Sequence, residues 1–226
     1  MNKCLLCQSY FKVQLHYKSL FFSLKNEEYP VCKSCFNKFE KIAGVTCINC
    51  NKALEANFSS NLCLDCQRWQ RIYSEDLLKN KALYHYNDAF HDLMVNYKRY
   101  GDFVLHSVLS YLVKKLPPAD FYVPIPSSPS HFQKRKFDTI SEIYGDLVKL
   151  TPSLIKDDSE KAQGQKNKEE RLASKQTFRA IKKYNLSGRV LLLDDIYTTG
   201  RTLYHARDAL KQSYPNLKIT SFTIAR

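Results

Sequence analysis

VLLLDDIYTTGRTL, Val190–Leu203, is the stretch that decides the fold. Its four leading apolar residues read as a strand buried on both faces, as in a parallel sheet covered by helices. The strand runs directly into two carboxylates, Asp194 and Asp195. Open α/β sheets gather ligands at the carboxyl ends of their strands, so these acids stand where a ligand binds. Adjacent carboxylates repel each other unless a cation or hydroxyl donors share them. A ribose 2′,3′-diol supplies two such donors, and a nearby Mg²⁺ would neutralise the remaining charge. TTGRT then opens a helix. Gly200 permits close backbone approach, and Thr198, Thr199 and Thr202 add hydroxyls to the N–H groups of the first helical turn, which makes a phosphate cradle. A Walker A loop would need a Gly-Lys-Ser/Thr ending, and a Rossmann turn lacks the acidic pair.

Working outward, the chain alternates strands and helices. RVLLL and KITSFTIA read as strands with the helical GRTLYHARDALKQSY between them, and FYVPIP is an earlier strand that runs into proline. NDAFHDLMVNYKRY places Phe90, Leu93, Met94 and Tyr97 at helical spacing, with Asn87 or Asp88 as N-cap. DFVLHSVLSYLVKKL and DTISEIYGDLVKL continue as amphipathic helices. The expected class is α/β with a parallel sheet. Residues 156–178 have another texture, rich in charge and poor in apolar side chains, and read as a mobile lid.

All eight cysteines lie before residue 70, in four CxxC pairs: Cys4/Cys7, Cys32/Cys35, Cys47/Cys50 and Cys63/Cys66. A two-residue spacer turns both sulfurs toward one ion, and two such pairs complete a tetrahedral Cys4 zinc site with no open position, so two structural Zn²⁺ are expected. Sequential pairing, with loops of 24 and 12 intervening residues, gives tandem ribbons. Interleaved pairing, a RING-like cross-brace, is the alternative. A ribbon of this size has little core, so the metal supplies most of its folding energy, on the order of 10 kcal/mol per site. Trp69, beside the last pair, is expected to pack against the ribbon. The organisation expected is a double zinc ribbon over 1–70, a connecting helix over 71–81 and an α/β domain over 82–226 carrying the lid.

The chain has 226 residues and a formal charge of +13. Nine basic and five acidic residues in 1–70, set against eight metal-bound thiolates, leave that part near neutral, so the positive field belongs to the rest, with 26 basic and 17 acidic residues. Such a field suits a polyphosphate, a nucleic acid or an acidic partner. No apolar run reaches the ~20 residues a bilayer span needs, and the first residues do not read as a secretory signal, so a soluble cytoplasmic protein is expected. None of the histidines has a partner at ligand spacing, and none is assigned a role.

The pattern D-D-x-x-x-T-G-x-T after a hydrophobic strand resembles the phosphoribosyl pyrophosphate (PRPP) motif of type I phosphoribosyltransferases. The resemblance implies that Asp194 and Asp195 hold the ribose hydroxyls and act as the catalytic pair if the chain turns substrate over. It implies that Thr198, Thr199, Gly200, Arg201 and Thr202 hold the 5′-phosphate. A second loop, Val123–Phe137, corresponds to the pyrophosphate loop of that family, with Lys134, Arg135 and Lys136 as its positive charge. Cysteine knuckles ahead of such a domain, with YKRYGD and VPIP…RKFD in that order, resemble the ComF family of late competence proteins and, within it, the ComFC branch. Members of that family commonly read R-G-F-N-Q where this chain has Arg135-Lys136-Phe137-Asp138-Thr139, and their lid pattern corresponds to Gln163 and Arg171 here. The resemblance implies PRPP with Mg²⁺ as ligand, a ComFA-type DNA-translocating ATPase as partner, single-stranded DNA as a further contact, and a place at the inner face of the membrane with the uptake machinery. Two other readings fit the residues. One is a salvage phosphoribosyltransferase that joins a free base to PRPP. The other is a single-strand-binding module with a retired ligand site, in which the aromatics of KRYGDF and HFQKRKF stack bases.

Overall fold

The computed structural model describes residues 1–12, 29–55, 57–74, 76–158 and 176–226. Most of the expected lid, with Gln163 and Arg171, lies outside the described residues. In chain order, β1 (Asn2–Lys3) and β2 (Tyr10–Phe11) form an antiparallel ribbon at the first knuckle. Helix α1 (Lys33–Phe36) carries Cys35, and α2 (Leu64–Tyr73) starts from Cys63 as its N-cap and carries Cys66 and Trp69. Strand β3 (Asn80–Tyr84) is followed by α3 (Asp88–Met94), a π-helical turn (Val95–Arg99) and a 3₁₀ turn (Phe103–Leu105). Then come α4 (His106–Val113), β4 (Phe121–Pro124), α5 (Pro129–Arg135) and α6 (Thr139–Tyr144). A two-stranded antiparallel pair, β5 (Leu154–Lys156) and β6 (Phe178–Ala180), brings together the two ends of the expected lid. Strand β7 (Arg189–Ile196), helix α7 (Arg201–Ser213) and strand β8 (Lys218–Ala225) complete the fold.

The main sheet has the order β3-β8-β7-β4 with every pairing parallel. Strand β7 is central because VLLL is apolar on both faces. Leu191 and Leu193 join Phe222 and Ile224 under α3, α4 and α6. Val190 and Leu192 join Val123 and Ile125 under α7 on the other face. Each of these leucines is 2% exposed or less, so each contributes about 1.5–3 kcal/mol of burial. Asn87 caps α3 as its sequence suggests, accepting from Phe90 N at 3.1 Å, and Phe90, Leu93, Met94 and Tyr97 are all buried.

The cysteines pair sequentially. Cys4, Cys7, Cys32 and Cys35 form one group and Cys47, Cys50, Cys63 and Cys66 another, with all sulfurs of a group within 4.8 Å of one another. A tetrahedral zinc with bonds of about 2.3 Å sets sulfur–sulfur edges of about 3.8 Å. Cys7 and Cys32 stand 3.8 Å apart, and Cys50 and Cys63 stand 3.4 Å apart. Each group could therefore hold a zinc ion, and the cross-brace alternative is excluded. The two groups serve different cores: Cys4, Cys32 and Cys35 pack with the α3–α6 face, while Cys47, Cys50, Cys63 and Cys66 pack with the α7 face.

The chain from Glu40 into the second group covers the free edge of β3. His85 N donates to Glu40 O at 2.8 Å, Ile42 N to Leu83 O at 2.9 Å, and Asn80 N to Asn49 O at 2.6 Å. An edge strand left open would invite pairing with another chain, so the knuckle region seals the sheet.

The expected connecting helix over 71–81 requires correction. The helix begins within the last knuckle at Leu64 and stops at Tyr73, where Ser74 adopts φ 51°. Leu78 is already buried beneath Tyr204 and Asn80 already pairs with β8, so the intervening residues must change direction rather than continue a helix. Among the described residues no helix is long and apolar enough to cross a membrane.

Lys136 ends α5 in the left-handed region, at φ 68° and ψ 9°. That conformation costs a residue with a Cβ roughly 1–2 kcal/mol and a glycine little, which explains the glycine common at this position in the family. Lys136→Gly is expected to stabilise the protein by up to about 1 kcal/mol and Lys136→Val to destabilise it by at least as much, read as opposite shifts of the thermal midpoint. For the metal groups, elemental analysis should give two zinc ions per chain. Cys7 is the one exposed cysteine, so chelator-driven release should be biphasic, and the fast phase should vanish in Cys7→Ser. A single phase in the wild type would contradict the distinction.

Candidate ligand site at the carboxyl ends of the strands

Strand β7 ends with its two acids in different surroundings. Asp195 is buried, 3% exposed, and its carboxylate pairs with the Lys98 ammonium. Lys98 comes from the π-helical turn, a rare geometry often found at functional sites. Asp194 is half-buried, and its pKa is pushed up to about 7, first by burial and then by the neighbouring Asp195 charge. Lys98, Lys156 and the Asp195 N–H, which donates to Asp194 Oδ1 at 3.0 Å, pull the other way. Asp194 thus holds a proton up to near neutrality. The strand end itself is pinned by Tyr144, whose hydroxyl donates to Asp194 O at 2.8 Å.

The threonine loop follows at once. Tyr197 N still donates to Ala225 O at 3.0 Å, and Gly200 then caps α7 at φ 81°. A Cβ at Gly200 would collide with the Tyr197 ring, so glycine is required by space as well as by φ. Helix α7 spans 13 residues, and its first turn has N–H groups without intrahelical partners. Thr198 is exposed, while Thr199, Arg201 and Thr202 are half-buried. The loop carbonyls are occupied from behind: Trp69 Nε1 donates to Thr199 O at 2.7 Å, and Arg226 Nη1 donates to Tyr197 O at 3.3 Å and Thr198 O at 3.2 Å. Trp69 therefore does pack beside its knuckle, but it also reaches the loop.

The opposite wall is the loop from Val123 to Phe137. Ile125 N donates to Leu193 O at 2.9 Å, which extends the strand pairing one residue past β4. Of the three basic residues expected here, Arg135 is half-buried and donates from Nε to Lys98 O at 2.9 Å, while Lys134 and Lys136 are exposed. Burial lowers the pKa of Arg135 and the Asp195 charge raises it, so the guanidinium senses Asp195. Asp138 closes the loop on itself, accepting from Ser141 N and from Ser127 N, each at 2.9 Å. A carboxylate offers an oxygen to each of the two donors, which accounts for an acid where the family commonly has an amide.

Two cations complete the site beyond those expected. Lys98 was legible only as part of the YKRYGD resemblance, with no chemistry attached. Lys156, the last residue of β5, had no sequence signal at all. Burial lowers its pKa and the charges of Asp194 and Asp195 raise it, which locates its ammonium in their field. The next turn is tied to the opposite wall, because Asp158 Oδ1 accepts from Ser130 Oγ at 2.6 Å and Ser130 N at 3.2 Å. Lys98, Arg135 and Lys156 therefore surround the acidic pair on one side, with the threonine loop beyond it. The arrangement can accept hydroxyl donors at the carboxylates, an anion at the loop and a second anion among the cations.

No protein-family profile matches the chain. Over 216 residues it is 33% identical to the Competence protein ComFC of Streptococcus pneumoniae (strain ATCC BAA-255 / R6), covering 93% of this chain and 94% of that protein. It is 32% identical over 232 residues to the Competence protein ComFC of Bacillus subtilis (strain 168), covering 99% and 94%. An alignment of that extent takes in both cysteine groups, the parallel sheet and the acidic strand end. On this similarity the chain belongs to the ComFC family of competence proteins.

Proposed function

We propose that the protein binds PRPP at the end of β7 and acts in natural transformation, with a ComFA-type DNA-translocating ATPase, in the import or handling of single-stranded DNA. The observation that carries the reading is the joining of three recognition elements on one sheet edge: the Asp194–Asp195 pair, the Thr198–Thr202 loop, and the cations Lys98, Arg135 and Lys156. A ribose diol pairs with the carboxylates, the 5′-phosphate takes the loop hydroxyls and N–H groups, and pyrophosphate takes the cations. Lys134 and Lys136 are exposed at the rim and add longer-range attraction for a polyanion. Mg²⁺ bound with the ligand would supply further charge neutralisation, and Asp194 and Asp195 are the oxygen donors that fit it. The place of action is the cytoplasmic face of the uptake machinery. The positive field outside the knuckles suits both the ligand and a passing single strand, and it is the one feature that favours a direct nucleic-acid contact.

Calorimetric titration with Mg²⁺–PRPP tests the site. Binding is expected in the wild type and none in the Asp194→Asn/Asp195→Asn double variant. No heat in the wild type would overturn the reading, and release of pyrophosphate on adding a free base would establish turnover.

The acidic pair also yields a stability signature. Asp194 has a native pKa near 7 against an ordinary 3.8, so between about pH 4 and pH 7 the native state holds a proton that the unfolded chain releases. Wild-type stability from this group is greatest below pH 4, falls as pH rises through that window, and stays low above pH 7. Asp194→Asn has no proton to lose. It should therefore unfold at higher denaturant than the wild type at pH 8, with the gap closing toward pH 4. A gap independent of pH would refute the assignment of the shift to Asp194.

A further inference from the structure

We propose that the second cysteine group is part of the phosphate site: Trp69 and Arg226, anchored on it, are positioning residues that hold the Tyr197–Gly200 backbone with its N–H groups facing the ligand. The inference rests on the reading of that loop as the 5′-phosphate site.

Peptide geometry sets the direction of the loop N–H groups. In a trans peptide the C=O and the following N–H point in opposite directions, and none of the peptide bonds here is cis. Trp69 and Arg226 bind the carbonyls of Tyr197, Thr198 and Thr199 from one side. The N–H groups of Thr198, Thr199 and Gly200 are thereby directed to the other side. An anion needs such converging N–H groups, and a loop free to rotate its peptides would lose them.

Both positioning side chains lead back to the same sulfurs. Trp69 lies one helical turn beyond Cys66 on the helix that Cys63 caps. Its ring stacks on Tyr204 in the first turns of α7, with centroids 4.2 Å apart, and Tyr73 also stacks on Tyr204 at 4.8 Å while lying 5.7 Å from Trp69. The Arg207 guanidinium lies 4.3 Å from the Tyr73 ring and 4.9 Å from the Tyr204 ring, so the cluster is closed by a buried cation. The Arg226 side chain is buried, 4% exposed, between Asp65 at 3.8 Å and Cys63 Sγ at 3.7 Å. Its guanidinium also covers the Tyr197 ring at 4.3 Å. Helix α2 and the N-terminus of α7 are thus packed as one unit, whose geometry would be fixed by a metal held at Cys63 and Cys66. The first cysteine group packs into the opposite core.

The test uses two ligands that separate the two halves of the site. Ribose 5-phosphate requires the threonine loop, whereas pyrophosphate can bind among Lys98, Arg135 and Lys156. Trp69 is the single tryptophan of the chain, so its emission reports the loop directly. Ribose 5-phosphate is expected to change that emission, and pyrophosphate to leave it nearly unchanged. Trp69→Phe keeps a stacked ring and removes the indole N–H. It should weaken ribose 5-phosphate about five- to tenfold, the worth of one buried hydrogen bond, with pyrophosphate affinity and a content of two zinc ions unaltered. Should that variant lose zinc, Arg226→Gln carries the same comparison, since it removes two carbonyl bonds and replaces no ligand. Equal ribose 5-phosphate affinity in wild type and variant, or equal losses for both ligands, overturns the inference. Wild-type protein that fails to bind ribose 5-phosphate overturns the site reading, and the inference with it.

Discussion

A negative charge at the end of a strand buried on both faces must be compensated, and the ion pair between Asp195 and Lys98 is that compensation. Breaking a buried pair by removing one partner typically costs 3–5 kcal/mol, because the remaining charge is stranded in a poor solvent. The geometry around β7 is arranged to prevent this. The π-helical turn after α3 advances the backbone by one extra residue and brings Lys98 over the strand end, while Tyr97, one residue earlier, stays buried and donates to Thr139 O at 2.8 Å. Arg135 then grips the Lys98 carbonyl, so the cation on which Asp195 depends is itself held by the facing loop. Compensating one acid links α3, β7 and the loop after β4 into a single site.

Asp194 illustrates the limit of that compensation. The nearest cation is taken by Asp195, and a second full charge beside the first is unfavourable, so the proton stays on until near neutrality. The site therefore sets three cations, Lys98, Arg135 and Lys156, around the two acids. Such a site attracts polyanions and leaves a carboxylate to be completed by hydroxyl donors. Sites that bind charge in this way are generally less stable than their neutral variants, which is a common consequence of function.

How legible this was follows from distance along the chain. The strand, the acidic pair, Gly200 and the threonines lie within 14 residues, and the CxxC pairs are local by construction, so pattern alone exposes them. The cysteine pairing was legible as a preference, because short loops close at lower entropic cost than long ones. Lys156 could not be found from sequence, since β5 and β6 meet across a polar segment with no strand signal. The contact of Trp69 with Thr199 spans 130 residues, and an indole N–H leaves no trace in periodicity. The helix after the last knuckle was placed too late for a related reason. Its start is set by Cys63 at the cap position, within the second cysteine group, rather than by an apolar stripe, and Ile72, which the pattern would bury, is 62% exposed.

The knuckles are therefore more than an appendage held by metal. A small Cys-rich module has little core of its own, and here the two groups complete two different cores instead of building a third. The first group extends the face that carries Lys98 and Tyr144, and the second extends the face that carries α7. The chain from Glu40 into the second group seals the edge of β3. The second group lies behind the backbone of the Tyr197–Gly200 loop, and the first packs into the core that includes Tyr97 and Tyr144. Free energy of metal binding at the second group would also be free energy for ordering this part of the chain, because Cys63, Trp69 and Arg226 are packed together around those sulfurs. A chain with the same α/β sheet and no knuckles would need other residues to occupy the loop carbonyls and to cover β3. That requirement gives a physical reason for joining these parts in one polypeptide.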